Sequence, residues 1–326
     1  MNKILTISIA AYNIEDYIKE ALDSIVSNEK ARECVEVIVV DDGSKDQTLE
    51  IANKYQAQFP ETIIVIEKNN GGYGSTINEA LKIAHGKYFK LLDGDDWFSN
   101  NLTEYLNILE QQDADLILSP YYRVHTVNNR YELVSRHQFN NGGDSTACDC
   151  NLVYIHAAET AVQTKCIKNK MIISEHCFYT DVEYVHSVCR FSKSVFFINL
   201  PIYCYRIGRE GQSVSIKSRL KNRHDASFVS LKLCEDYRQH KEEYASIFAD
   251  GQITQIATII VFYCKTLLYM KNLKEAKKEM NIFLKKIEKY PEIFDRVLLI
   301  NRSIKLCIKI PILFGVIAKY EKLKNR

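Results

Sequence analysis

Three carboxylates fall within four residues at Asp93-Gly94-Asp95-Asp96, and two more stand together in Asp41-Asp42-Gly43-Ser44. Brought near one another, such groups repel unless something positive sits between them. A divalent cation is the natural partner. Mg²⁺ and Mn²⁺ take oxygen ligands and are commonly held by one or two carboxylates together with substrate phosphates, so an Asp-X-Asp turn suits a pyrophosphate-bearing ligand. Gly94 lets that turn tighten. Taken alone, the turn reads equally well as a solvated cap on a helix from about Asn100, and Ser44 or Asp46 as the cap of a helix from Gln47. The surroundings favour use: Tyr88-Phe89-Lys90-Leu91-Leu92 has the pattern of a buried strand, and Trp97-Phe98 follows the charges directly.

The elements that must position these groups are short β-branched runs alternating with amphipathic stretches over the first 120 residues. That pattern belongs to βαβ units and a mostly parallel sheet with helices on both faces, an α/β fold. Strands are expected at Leu5–Ala11, Val35–Val40, Thr62–Glu67, Tyr88–Leu92 and Asp115–Ser119. Between them Ile18, Ala21, Leu22, Ile25 and Val26 recur at helical spacing, as do Ile77, Ala80, Leu81 and Ala84. Parallel sheets bind ligands beyond the carboxyl ends of their strands. Those ends carry Ala11-Tyr12-Asn13, Asp41-Asp42-Gly43-Ser44 and Asp93-Gly94-Asp95-Asp96.

Four blocks in order then resemble family 2 of the inverting glycosyltransferases: Ile7 to Asn13, Val39 to Thr48, Leu91 to Asp96, and Tyr179-Thr180-Asp181-Val182-Glu183-Tyr184. The resemblance covers roughly residues 3 to 216 and implies the GT-A (Rossmann-like) fold, a nucleotide-sugar donor, most simply a UDP-sugar, and Mn²⁺ or Mg²⁺. It implies that Ala11 and Tyr12 border the nucleotide, Asp41 bonds the base, Asp93 approaches the ribose or donor sugar, and Asp95 ligates the metal. It also makes Asp181 the general base that takes a proton from the acceptor hydroxyl. On its own residues, Asp181 also reads as a charge in the first turn of a helix whose apolar stripe is Tyr184, Val185 and Val188. Tyr203 to Ser213 resembles the loop that closes over the donor, with Arg206 or Arg209 set to meet diphosphate charge. Solvated arginines fit that segment as well. One departure is that Thr76-Ile77-Asn78 stands where many relatives carry an Arg-Asn pair. His156 reads as a hydrogen-bonded structural histidine.

The chain has 326 residues, 46% hydrophobic and 26% charged, enough for a catalytic domain, residues 1–216, and a C-terminal helical module, residues 217–326. Its net charge of +2 hides a split, −9 in the first part and +11 in the second. No nucleic-acid partner is expected. Met1-Asn2-Lys3 runs straight into strand alternation, which predicts a cytoplasmic protein, and a reducing compartment would keep the ten cysteines as thiols, Cys148 and Cys150 included. The stretch Ile253–Met270 approaches membrane-spanning length, yet Gln252, Gln255 and Lys265 mark it as a buried helix. Residues 293–326 hold eight Lys and Arg against two acidic residues, interleaved with Ile, Leu, Phe and Val. Such a tail either lies on an anionic membrane surface, at its inner face, or docks on the acidic catalytic domain.

The leading expectation is an inverting transferase acting on a saccharide or lipid-linked acceptor in surface-polysaccharide synthesis. The alternative is a non-catalytic nucleotide-sugar-binding subunit of a biosynthetic complex. A nucleotidyltransferase would want a Gly-rich basic loop near the N-terminus, and residues 9–16 offer none.

Overall fold

The computed structural model describes residues 3–135, 152, 154–208 and 215–324. They divide into two compact units, the first holding residues 1–150 and 155–209 and the second residues 151–154 and 210–326.

In the first unit the strands are β1 (Leu5–Ala11), β2 (Val35–Asp41), β3 (Ile63–Glu67), β4 (Tyr88–Asp93), β5 (Trp97–Phe98), β6 (Leu116–Leu118), β7 (Tyr121–His125), β8 (Arg130–Val134), β9 (Thr160–Gln163), β10 (Val195–Phe197) and β11 (Tyr203–Ile207). Seven form the main sheet in the order β10-β6-β9-β4-β1-β2-β3. All its pairings are parallel except those of β9, which runs antiparallel to both β4 and β6. The mostly parallel sheet is the one expected. β1 lies between β2 and β4, so the two acidic strand ends flank β1 and are not themselves neighbours.

Helices α1 (Ile18–Val26), α2 (Glu29–Cys34), α3 (Thr48–Gln58), α4 (Tyr73–Ile83), α5 (Leu102–Gln111), α6 (Thr164–Ile167) and α7 (Thr180–Phe191) connect the strands. Leu5, Ile7 and Ile9 of β1 share one core cluster with Ile18, Leu22 and Ile25 of α1 and with Leu102, Leu106 and Leu109 of α5, and α4 covers β1 and β2. Each such side chain, fully buried, contributes roughly 1.5–3 kcal/mol. This is why an all-buried run such as Val35–Asp41 reads as a strand in the sequence. Three strands from residues 121–207 join β5 in a second sheet, β5-β11-β7-β8.

The second unit is helical: α8 (Ile216–Lys221), α9 (Arg223–His240), α10 (Ser246–Leu268), α11 (Leu273–Ile287), α12 (Pro291–Ile300), α13 (Arg302–Lys309) and α14 (Phe314–Lys324). α10 is the axis against which α9, α11, α12, α13 and α14 pack. Among the described residues it is the one helix long and apolar enough to cross a membrane, yet 67% of that stretch is buried by its neighbours, Gln252 and Gln255 included. The eight described cysteines are free thiols; Cys148 and Cys150 lie outside the described residues.

Candidate active site

The acidic turn begins at Asp93, the last residue of β4, and closes where the Asp96 N–H donates to the Asp93 carbonyl at 2.9 Å. Gly94 is required by close approach: a Cβ there would lie 2.8 Å from the Ala10 carbonyl oxygen and 2.2 Å from Ile14 Cδ1. Asp96 turns inward and is 1% exposed. Its Oδ2 accepts from the Tyr203 hydroxyl at 2.7 Å and its Oδ1 from the Arg206 N–H at 2.7 Å. Tyr203 in turn accepts the Asp93 N–H at 3.1 Å, so Asp96 clamps β11 to the turn. Burial, with Asp93 and Asp95 alongside, pushes the Asp96 carboxyl well above the usual carboxylate range.

Asp93, Asp95 and Asp96 each present an oxygen within 4.8 Å of the others. Asp96 is spent on its two donors, and Asp93 Oδ1 takes the Tyr73 hydroxyl at 2.6 Å. Asp95 and Asp93 are therefore the side chains suited to a hard, oxygen-seeking cation, and the donor set fits Mg²⁺ or Mn²⁺.

Two registers over, Ala11 of β1 pairs with Asp41 of β2, and Ala10 with Asp93 of β4, so the three strand ends stand in one row. Ala11 is buried and Tyr12 half exposed. The loops after β1 and β2 are stitched together: Asn13 N–H donates to Ser44 Oγ, Lys45 N–H to Asn13 Oδ1, and Ile14 N–H to Thr48 Oγ1. Asp41 Oδ2 accepts the N–H groups of Gly43 and Ser44 at 3.2 and 3.1 Å. Its Oδ1 is buried and has no protein partner. An unmet buried carboxylate oxygen is costly, and a ligand N–H would satisfy it.

Asp42, grouped with the others by its type, does a different job. Lys68 Nζ donates to its Oδ1 at 2.8 Å, and the N–H groups of Gly71 and Gly72 donate to Oδ1 and Oδ2 at 2.8 Å each. The positive charge foreseen between the carboxylates is, for Asp42, supplied by the chain itself, and this carboxylate shapes the loop that starts α4.

Arg206 lies on β11, inside the second sheet, at the start of the segment that resembles a closing loop. Its guanidinium stacks 4.5 Å from the Trp97 ring centroid, pairs with Glu20 and donates through Nε to the Asp95 carbonyl at 2.7 Å. It sits at the acidic turn, already held by a carboxylate. Arg209 lies outside the described residues.

Asp181 occupies the first turn of α7, after Tyr179 at φ 67°. Burial raises its carboxyl above the usual range, and the backbone N–H groups of Val182 and Asp181 only partly offset that. The hydroxyl of Tyr73, bonded to Asp93, also feels the charge of Asp181, and Tyr205 feels Asp93, Asp96, Asp181 and Asp95 together. Asp181 is thereby coupled electrostatically to Tyr73, the tyrosine that bonds Asp93. Glu183, two residues on, is buried and accepts the Ser174 N–H at 3.2 Å, so the helix separates the two acids. His156 caps a turn through Nδ1 and stacks on Tyr121.

Sequence reasoning missed Tyr73, Tyr203, Tyr205, Glu20 and Lys90. Lys90 is fully buried; its ammonium donates to the carbonyls of Ala158 (2.7 Å) and Thr160 (3.1 Å), fixing the start of β9, and burial brings its pKa down to about 7. Its place in an otherwise apolar strand was the one available signal.

A family model described as glycosyl transferase family 2 matches residues 6–185, more than half of the chain. The chain belongs to that family. Curated relatives within reach of this family 2 chain include the poly(ribitol-phosphate) beta-glucosyltransferase of Bacillus spizizenii, 40% identical over 35% of this chain. They also include an uncharacterized glycosyltransferase of Mycoplasma pneumoniae, 28% identical over 74% of this chain and 81% of its own. The chain spans 18% and 26% of the lengths of the first two curated relatives. Among solved structures, S. aureus TarS 1-349 in complex with UDP-GlcNAc aligns at TM-score 0.70 and 20% identity, covering 99% of this chain and 90% of that one. A Pyrobaculum calidifontis mannosyltransferase in complex with GDP-Man and Mn²⁺ aligns at TM-score 0.54 and 12% identity, over 98% and 85%. The fold is therefore that of the family's GT-A members, followed by a helical part.

Proposed function

We propose that residues 1–216 form a catalytic domain that transfers a sugar, with inversion, from a UDP-sugar to a saccharide or lipid-linked acceptor. The setting is cell-surface polysaccharide synthesis at the cytoplasmic face of the membrane, and residues 217–326 form a separate helical module. The observation that carries this reading is the row at the sheet's carboxyl edge. There Asp41, with its unmet oxygen, and the Asp93 and Asp95 carboxylates flank the end of β1, and Tyr73, which bonds Asp93, is coupled electrostatically to Asp181. Relatives named for sugar transfer to poly(ribitol-phosphate), and TarS with UDP-GlcNAc, support the donor and acceptor classes.

In this reading Asp41 Oδ1 accepts an N–H of the nucleotide base, between Ala11 and Tyr12. Asp95 holds Mg²⁺ or Mn²⁺, and Asp93 contacts the ribose or donor sugar, its oxygen kept in place by Tyr73. When bound, the cation supplies charge neutralisation for the departing diphosphate. Arg206 adds positive charge at the same turn, exchanging Glu20 for a phosphate oxygen. Asp181, ionised, takes the proton from the acceptor hydroxyl as its oxygen attacks the anomeric carbon from the face opposite the leaving group.

Two variants separate these roles. Asp95→Ala should abolish metal-dependent binding of the donor. Asp181→Ala should bind donor normally while transfer falls by about 100-fold or more. An Asp181→Ala enzyme that transfers at the wild-type rate refutes the base assignment.

A further inference from the structure

The end of the chain carries a surface that sugar transfer does not use. On α12, on α14 and in the turn that leads into α14, Leu299, Ile310, Ile312, Val316, Tyr320 and Leu323 are exposed, Ile312 by 86% and Leu299 by 75%. Val316, Tyr320 and Leu323 recur at i, i+4 and i+7 of α14, opposite the side on which Phe314, Ile317 and Ala318 are buried. Exposed apolar side chains in such number mark a contact surface.

The charges around them have one sign. Arg302, Lys305, Lys309, Lys319 and Lys324 are exposed and form no ion pair among the described residues. From Arg296 to Lys324 the sole carboxylate side chain is Glu321, which is buried and bonded to Ser303 and Lys265. Between α13 and α14 lies a cavity of about 560 Å³ whose lining includes Arg302, Lys324, Leu306, Val316 and Tyr320 and also Glu321, whose carboxylate is held by Ser303 and Lys265, so cations and apolar groups rim one opening.

We infer that this face binds the surface of an anionic phospholipid bilayer, with α14 lying in the plane of the interface and the cavity taking a lipid phosphate and its adjoining methylenes. A helix of 11 residues is far too short to span, and Pro311 opens the turn before it, so the segment lies on the bilayer and does not cross it. A second copy is a poor occupant. A two-fold contact through this face sets five exposed cations against the same five, whereas anionic headgroups complement them. The inference rests on the membrane-face placement proposed above, but it is read out without turnover, so its failure and that of the transfer chemistry are distinguishable.

The test is flotation of the full chain with vesicles of phosphatidylcholine alone and of phosphatidylcholine mixed with phosphatidylglycerol. The chain should float with the mixed vesicles and not with the neutral ones, and added salt should weaken the binding. The pair Val316→Asp, Leu323→Asp and the triple Lys305→Glu, Lys309→Glu, Lys319→Glu should each lower it by about 10-fold or more. All these positions are exposed, so circular dichroism and UDP-sugar binding should match the unaltered chain. Equal flotation with neutral vesicles, flotation unchanged in both variants, or a concentration-dependent dimer that the variants dissolve would overturn the inference.

Discussion

At the scale of single residues, the site divides five neighbouring acids by environment. Asp42 is consumed by Lys68 and two glycine N–H groups, Asp96 by Tyr203 and the Arg206 N–H, and Asp41 keeps one oxygen unmet. Asp181 stands apart, a carboxyl whose pKa burial raises against the pull of its helix N–H groups. A raised folded pKa means the protonated form suits the fold. The stability it contributes is full below the unfolded value of about 3.9 and is lost as pH rises through the folded value. At pH 7 the ionised Asp181 therefore costs stability, and Asp181→Asn should melt above the wild type near neutrality, the gap closing in acid. Melting curves across pH test this, and a lower melting temperature for Asp181→Asn at pH 7 contradicts it. The same shift places the acidic limb of transfer above that of an ordinary exposed carboxylate. The acids at Asp41, Asp93, Asp95 and Asp181 were singled out by the family resemblance of the blocks that hold them. Their keepers were not: Tyr203 is 107 residues from Asp96 and Glu20 is 186 from Arg206, so no local pattern joins them.

At the scale of elements, the first four strands follow from buried β-branched runs and were legible to within a residue, because burial on both faces leaves an unbroken apolar signature. β9 was not legible. It has four residues and enters antiparallel between β4 and β6 from some forty residues downstream, held there by the buried ammonium of Lys90. The second sheet escaped notice because its strands are two to five residues long. The turn after β4 depends on close approach to β1, which gives a direct prediction. Gly94→Ala, whose Cβ would meet the Ala10 carbonyl, should destabilise the chain by about 1–3 kcal/mol and weaken donor binding as the turn is pushed outward. Denaturant unfolding and donor titration of the same variant check both; a variant with wild-type stability and affinity would show that the turn has room to spare.

At the scale of the whole chain, the charge split of −9 and +11 marks two kinds of surface, one built around carboxylates and one around lysines with apolar neighbours. Family 2 membership covers residues 6–185, while the proposed sugar and acceptor depend on pockets formed by several loops and were not readable from any one motif. The central claim is that this chain takes a nucleotide-sugar together with a divalent cation at the Asp93 to Asp96 turn. The most direct measurement is thermal unfolding against a panel of UDP- and GDP-sugars, each with Mn²⁺ and with chelator. A UDP-sugar at about 100 times its Kd should raise the melting temperature by roughly 5 °C or more with Mn²⁺ and by far less without it. No shift with any nucleotide-sugar, metal present or absent, would contradict the account.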